Sequence, residues 1–269
     1  MEATTLGMNR TGTATSPAGA QAMTEAADML SPAVPIDTAA ADAERLNYIS
    51  ESETVGSIPP PASMKGVVKA GVAKLKGGEP SVFMDKIGER IAFERAGTRL
   101  YEALITKYQA VQGMGTEALL PADQLPMPDG ATVGSVGSVA GESPLQTLLR
   151  IRSEELAHFK MLGLAMEKMG GDPTAQTPCA DVSATASMGI LQVVTDPRTT
   201  LAQCLNAMLM AELTDNAGWE LLVELAEDAG ETDLAGQFLG ALAQEQEHLA
   251  IVKGWLTMLV SKGAGTPAV

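Results

Sequence analysis

The sequence predicts an all-α fold built on four long helices, and three observations carry that expectation. Apolar residues recur at three- and four-residue steps through four separate stretches between residues 83 and 262, the period of a helix with one buried face. The 269 residues are 45% hydrophobic but only 3% aromatic. Ala, Leu, Met and Val must therefore fill the core, which suits close-packed helices better than an aromatic-rich sheet sandwich. No run of eighteen apolar residues occurs, so no transmembrane segment is expected.

Residues 1–82 stand outside this pattern. They are rich in Ala, Thr, Ser, Gly and Pro, contain one tyrosine, Tyr48, and carry no sustained apolar stripe. Such a segment buries too little apolar surface to offset its ordering entropy, so a long, low-complexity N-terminal extension, flexible or partner-dependent, is expected. Short helical turns are expected at Ala20–Leu30 and Thr38–Tyr48, before Pro59, Pro60 and Pro61 break the chain. Residues 64–77 carry Lys65, Lys69, Lys74 and Lys76 with no acid. That stretch reads either as a solvated linker or as a docking strip for an acidic partner.

The helical stretches follow in order. Ile87, Ile91, Glu94, Thr98, Tyr101, Leu104, Ile105 and Tyr108 place a first helix from Ser81 to about Gln109, closed by Gly113 and Gly115. Residues 111–142, rich in Pro and Gly, form a connection longer than ordinary helix–helix loops. Ser143 before Pro144 signals an N-cap and a first helical position. The second helix carries Leu148, Ile151, Glu155, Phe159, Leu162 and Met166, and stops at Gly170 and Gly171. Residues 172–197 make a second crossover with a short helix near Ala184–Val194. The third helix opens near Thr199 or Thr200, carries Leu201, Leu205, Met208, Glu212, Trp219 and Val223, and ends at Gly230. The fourth runs from about Thr232 to Val260, and residues 263–269 are left as a C-terminal tail. Four long helices over 83–262, with two tight ends and two long connections, describe a four-helix bundle.

Charge and cysteine usage narrow the function. A net charge of −15 argues against broad nucleic-acid binding. Cys179 and Cys204 are too few and too far apart for a disulfide framework or a CxxC metal knuckle. The first residues, MEATTLGMNRTGT, lack a basic start followed by an apolar run, so no signal peptide is expected and a cytoplasmic location is.

Each of the four helices places a glutamate on its apolar stripe: Glu94, Glu155, Glu212 and Glu245. The chain has only two histidines, His158 and His248, and each follows one of these glutamates by three residues, on the same helical face. Four buried carboxylates without partners would repel one another severely, and cations offset that repulsion. Two divalent metals at the bundle centre could take one histidine each while carboxylates bridge or cap them. One glutamate from each of two helices with Glu-x-x-His from each of the other two is the di-iron and di-manganese pattern of such bundles.

From Phe93 to about Val260 the chain resembles the ferritin-like superfamily, most closely its rubrerythrin-type members. The carrying segments are FERAGTRLYEAL, SEELAHFKML, AELTDNAGWELL and AQEQEHLAIV. The first is similar to the family pattern in which a ligand glutamate, Glu94, precedes a core tyrosine, Tyr101, by seven residues. The resemblance implies Glu94, Glu155, His158, Glu212, Glu245 and His248 as metal ligands. It implies Tyr101 as a hydrogen-bond donor to a ligand carboxylate, and Asp215, one turn beyond Glu212, as an additional carboxylate. The chain departs from rubrerythrin proper in lacking paired CxxC motifs, and from ferritins in its long first connection.

The implied cofactor is a pair of Fe ions, with a pair of Mn ions as the alternative. The implied activity is ferroxidase- or peroxidase-type redox chemistry on Fe(II), O₂ or H₂O₂. The alternative is a metal-stabilised scaffold that docks in a larger assembly through its N-terminal tail. Expected partners are O₂ or H₂O₂ as oxidant, a protein bound by the tail, and a second copy of the chain. Glu89, Glu102, Glu154 and Glu247 fall off the apolar stripes and are expected in solvent. Trp219 and Trp255 are expected as packing anchors, Cys204 as a buried small apolar group, and Cys179 in a loop.

Overall fold

A computed structural model describes residues 17–34, 36–56, 61, 64, 66–68, 80–115, 119–125 and 141–264. Among the described residues the chain is all-α and contains no strand. It divides into two compact units, Met1–Val55 with Pro267–Val269, and Gly56–Thr266. The low-complexity region 1–82 spans this division. Lys65, Lys69, Lys74 and Lys76 lie outside the described residues.

The first unit contains α1 (Pro17–Leu30) and α2 (Ala39–Glu51), both longer than their sequence signals suggested. Neither buries a single residue. Their support is local: Gln21 donates to Glu25, Arg45 pairs with Asp42, and the Tyr48 hydroxyl donates to Glu44, the spacing at which side chains meet on a helix surface.

Among the described residues the second unit contains five α-helices of eighteen residues or more: α3 (Pro80–Met114), α4 (Pro144–Met169), α5 (Pro178–Thr195), α6 (Leu201–Asp228) and α7 (Thr232–Ala264). α3 packs on α4 and α6, and α7 packs on α6 and α4, closing a ring of four long helices. Their ends follow from side-chain chemistry. Ser143 and Thr200 each cap a helix reciprocally with a glutamine three residues on, Gln146 and Gln203. Gly170 closes α4 at φ 89°, and a Cβ there would collide with the backbone of Gly66, which packs against this helix end.

Two expectations change. α3 runs through Gly113 to Met114 and turns only at Gly115, whose φ is 66°. An exposed glycine weakens a helix by about 1 kcal/mol, too little to end one packed along its length. The crossover helix, α5, is eighteen residues long and begins at Pro178. Thr177 caps it and Pro178 takes the first helical position, the same signal as Ser143 and Pro144. Cys179 therefore sits in a helix's first turn, not in a loop.

α5 runs alongside α3 in the same direction. At its start the Thr177 hydroxyl donates to the Asp85 carbonyl at 3.2 Å and the Cys179 amide donates to the Asp85 carboxylate at 2.9 Å. Beyond its end, Lys107 of α3 donates to the carbonyls of Asp196 and Thr199 at 2.6 and 3.0 Å.

The core of the four long helices is layered. One apolar cluster contains Leu104, Tyr108, Ile151, Leu205 and Trp255; the other contains Ile87, Leu162, Met166, Trp219 and Phe238. On α3, α4, α6 and α7 alike, the acidic and imidazole residues fall between the two. A polar layer thus lies between two dry ones.

Candidate metal centre

That layer buries Glu94, Glu155, His158, Glu212, Asp215, Glu245 and His248, each at most 3% exposed. Glu245 lies at its middle. One of its oxygens is 2.7 Å from His158 Nδ1 and the other 3.1 Å from His248 Nδ1. Glu94 Oε2 lies 3.6 Å from His158 Nδ1, and Glu155 Oε1 lies 3.6 Å from His248 Nδ1. Donor atoms of Glu94, His158 and Glu245 all fall within 4.8 Å of one another, as do those of Glu155, Glu245 and His248, and those of Glu94, Glu155, Asp215 and Glu245. The chain thus brings together two triads that share Glu245. Glu212 belongs to no such group among the described residues. It accepts the Tyr101 hydroxyl on one oxygen and leaves the other without a partner.

Both histidines turn Nδ1 inward and Nε2 outward, and what Nε2 meets is reciprocal between helices. His158 on α4 meets Gln244 Oε1 of α7 at 2.8 Å; His248 on α7 meets Glu154 Oε2 of α4 at 2.8 Å. In each case the partner is the residue just before the other helix's inward glutamate. A second exchange joins α3 and α6. Tyr101, seven residues after Glu94, donates to Glu212; Trp219, seven residues after Glu212, donates to Glu94 Oε1 at 2.9 Å. Seven residues is two helical turns, so each aromatic stands on the same face as its own helix's glutamate and reaches its neighbour's.

Sequence reasoning placed Glu154 and Glu247 in solvent, and the structure corrects this. Arg150 collects Glu142, Glu154 and Glu247 at 2.9–3.2 Å, and Glu154 passes that charge on to His248. The sequence did carry the signal, because both histidine helices read acid-or-amide, Glu, x, x, His: Glu154 to His158 and Gln244 to His248. Arg90 was also missed. It is buried, pairs with Asp215, and stacks over the Phe93 ring at 4.1 Å. Trp219 does more than pack, since its N–H orients Glu94. Trp255 is buried as expected, with its N–H on the Leu120 carbonyl.

Two glycines make room for these groups. A Cβ at Gly97 would run into the Glu155 carboxylate, and one at Gly218 would meet the Arg90 guanidinium at 2.7 Å.

The electrostatics show what the packing demands. Burial, reinforced by the charges of Glu245 and Glu94, pushes Glu155 well above the usual carboxylate range. Burial and the Glu245 charge raise Glu212 to about 8. Burial, with Glu94 and Glu245 beside it, also lifts Asp215, which Arg90 opposes. Burial acts upward on Glu245 too, but the two imidazoles overcome it and hold this carboxyl below the ordinary range. Burial disfavours the imidazolium of His158, yet Glu245 and Glu94 raise it to about 10. His248 is lifted likewise by Glu245, Glu154 and Glu155 against its burial. Without a cation, then, protons hold these acids together.

Six buried side-chain atoms among the described residues form no hydrogen bond: Glu94 Oε2, Glu212 Oε2, Glu245 Oε1, His158 Nδ1, and Nε and one terminal nitrogen of Arg90. Of these, His158 Nδ1 and Glu245 Oε1 lie 2.7 Å apart and meet as an ion pair. An orphaned buried polar atom costs about 1–3 kcal/mol, and more when charged. Oxygen and imidazole donors of this kind suit Fe, Mn or Zn, so the residues fit a divalent metal ion.

Comparison with protein-family models, with curated proteins and with solved structures finds no match to the chain.

Proposed function

We propose that the chain is a ferritin-like, rubrerythrin-type di-metal carboxylate protein with ferroxidase- or peroxidase-type activity on Fe(II), O₂ or H₂O₂. The observation that carries this reading is the set of buried ligand atoms left without hydrogen bonds: two glutamate oxygens and an imidazole nitrogen around Glu245, with the second Glu212 oxygen beside them. Glu94 and His158 would hold one metal, Glu155 and His248 the other, with Glu245 shared and Glu212 as a further carboxylate. Asp215, already paired with Arg90, is assigned to orienting the cluster. A bound iron pair supplies electrons and open positions for reduction of O₂ or H₂O₂.

The chain's own residues do the rest. Gln244 and Glu154 fix the ring planes so that Nδ1 faces inward. Trp219 and Tyr101 hold Glu94 and Glu212 by one oxygen each, leaving the other free. Burial keeps the Tyr101 phenol protonated, aided by the charges of Glu212 and Glu155, so it remains a donor. The two apolar clusters exclude water from the layer between them. Both cysteines are unpaired thiols, which suits a reducing compartment and a cytoplasmic assignment. No described helix is long and apolar enough to cross a membrane.

A second reading is a metal-stabilised scaffold that docks through its N-terminal region. It draws on α1 and α2, which bury nothing and expose Met29, Leu30 and Ile49. One experiment separates the two. Metal analysis of the purified protein should find about two Fe per chain, and anaerobic Fe(II) loading followed by O₂ should develop a ferric absorption band. Two Mn in place of Fe would select the alternative metal. Metal retained without turnover of O₂ or H₂O₂ would select the scaffold. No bound metal, with Glu155→Ala and His248→Ala unchanged in stability, would sink both.

A further inference from the structure

Between its two fixed ends, α5 packs along α3. Small residues line the seam, Ala92 and Ala96 on α3 and Ser183, Ala184 and Ser187 on α5, and a cavity of about 290 Å³ lies along it. Phe93, Leu100 and Ala211 line it as well, and Met188, Ile190 and Leu191 complete a mostly apolar wall. Water gains little in such a space, and an apolar wall left unfilled forfeits packing.

The opening is different in kind. Arg95 and Arg99, one turn apart on α3, line the cavity, are exposed, and make no hydrogen bond or ion pair with the described residues. In a chain with 33 acidic and 18 basic residues, side-by-side arginines without an acid are unusual. Arg150, Arg152, Arg90 and Arg198 all have carboxylate partners. Two guanidinium forks at the mouth of an apolar slot match a carboxylate with a hydrocarbon body.

α5 adds an independent observation. It is an apolar helix of eighteen residues that buries only Ala180 and Val194, and exposes Met188 and Leu191 beside the slot. The geometry points to a binding site between α3 and α5 for a small organic acid with an apolar tail. The tail lies against Phe93, Ala96 and Ile190, and the carboxylate is gripped by Arg95 and Arg99. Its lining includes none of the proposed metal ligands, although Phe93 and Ala211 directly precede Glu94 and Glu212, and its contacts to the acid do not require metal to be bound.

The test is calorimetric titration of the full chain, metal-free and Fe(II)-loaded, with octanoate, 1-octanol and inorganic phosphate. Octanoate should bind about tenfold or more tightly than octanol, and phosphate should not compete with it. Arg95→Gln with Arg99→Gln should weaken octanoate about tenfold and leave octanol unchanged. Ala184→Phe, which fills the slot from the exposed helix, should abolish both, with helical content and metal uptake retained. Equal binding of octanoate and octanol, or no loss in the double arginine variant, overturns the proposal. So does phosphate binding as tightly as octanoate, which would mark a surface anion patch. Because binding is read on metal-free protein too, its failure is distinguishable from failure of the di-metal reading.

Discussion

The half of the centre around His158 and the half around His248 draw on the same four helices by the same two spacings, yet their surroundings differ in charge. Glu94, His158, Trp219 and Gln244 make one half; Glu155, His248 and Glu154 make the other, with Glu212 and Tyr101 beside them. Behind His158 stands a neutral amide, and behind His248 a carboxylate backed by Arg150. Trp219 lies edge-on to His158 with ring centres 5.4 Å apart, and Tyr101 edge-on to His248 at 6.4 Å. An imidazole donating to a carboxylate is the more basic ligand. On the di-metal reading the near-symmetry would give two metal positions, and its departures would make them inequivalent.

Glu245 is the one residue both halves share, so replacing it should have the largest effect. Glu245→Gln should lose both metals, because a neutral amide cannot offset two cations or two imidazolium groups. His158→Ala and His248→Ala should each lose one of the two, with the helical fold kept. Metal content per chain, measured beside circular dichroism, decides this. If either histidine variant empties both positions, the halves are not separable and the comparison fails.

Replacing the partners behind the rings should act on one half only. Glu154→Gln should weaken metal binding at the His248 half by about 10–100-fold and leave the His158 half unchanged. Gln244→Glu should strengthen the His158 half. Competition with a chelator of known affinity resolves the two steps, and equal changes in both would show that Nε2 partners do not set the asymmetry.

How far the sequence revealed these halves depends on what each residue contacts. Glu94, Glu155, Glu212, Glu245 and the two histidines were legible because helical periodicity alone sets them on buried faces, and the i, i+3 pairing needs no knowledge of tertiary contacts. Glu154 was not, since it flanks the buried stripe and is drawn inward by Arg150 and by a histidine on another helix. Arg90 escaped because its partner, Asp215, lies 125 positions away. The capping boxes of α4 and α6 were readable at their Ser and Thr, which act over three residues. α5 was half seen: its C-terminal part, Ala184–Val194, was found, but Thr177 and Pro178 were passed over inside a polar crossover. Local rules located the buried acids and imidazoles, and only the packed helices show which neighbour orients each.

Acidity offers a smaller effect on which the two halves should agree. Glu212 stands at about 8 against 4.5 when unperturbed. It therefore stabilises the metal-free fold fully below pH 4.5, and that contribution is lost as pH rises through 8. His158 stands at about 10 against 6.5, so its contribution is whole below pH 6.5 and lost as pH rises through 10. Glu245, held low, acts oppositely and its contribution fades in acid. The melting temperature of metal-free protein should fall between pH 6.5 and 10, and metal-loaded protein should fall less. Loading should release protons, measurable in buffers of different ionisation enthalpy. A metal-free protein that gains stability over that range would contradict the electrostatic account.

The smallest effect concerns the aromatic exchange between α3 and α6. Tyr101→Phe keeps the ring and removes one donor, leaving neither Glu212 oxygen partnered; the cost to the metal-free fold should be about 1–3 kcal/mol. The Tyr101 hydrogen bond also lowers the Glu212 pKa, so its loss should move metal uptake at the His248 half to higher pH. Trp219→Phe strands Glu94 Oε1 in the same way but also opens space beside Phe238, whose ring lies 5.6 Å from Trp219. It should therefore cost more stability while sparing the pH midpoint of the His248 half. If Tyr101→Phe leaves that midpoint unmoved, the phenol is only a packing ring, and the two halves differ less than their contacts imply.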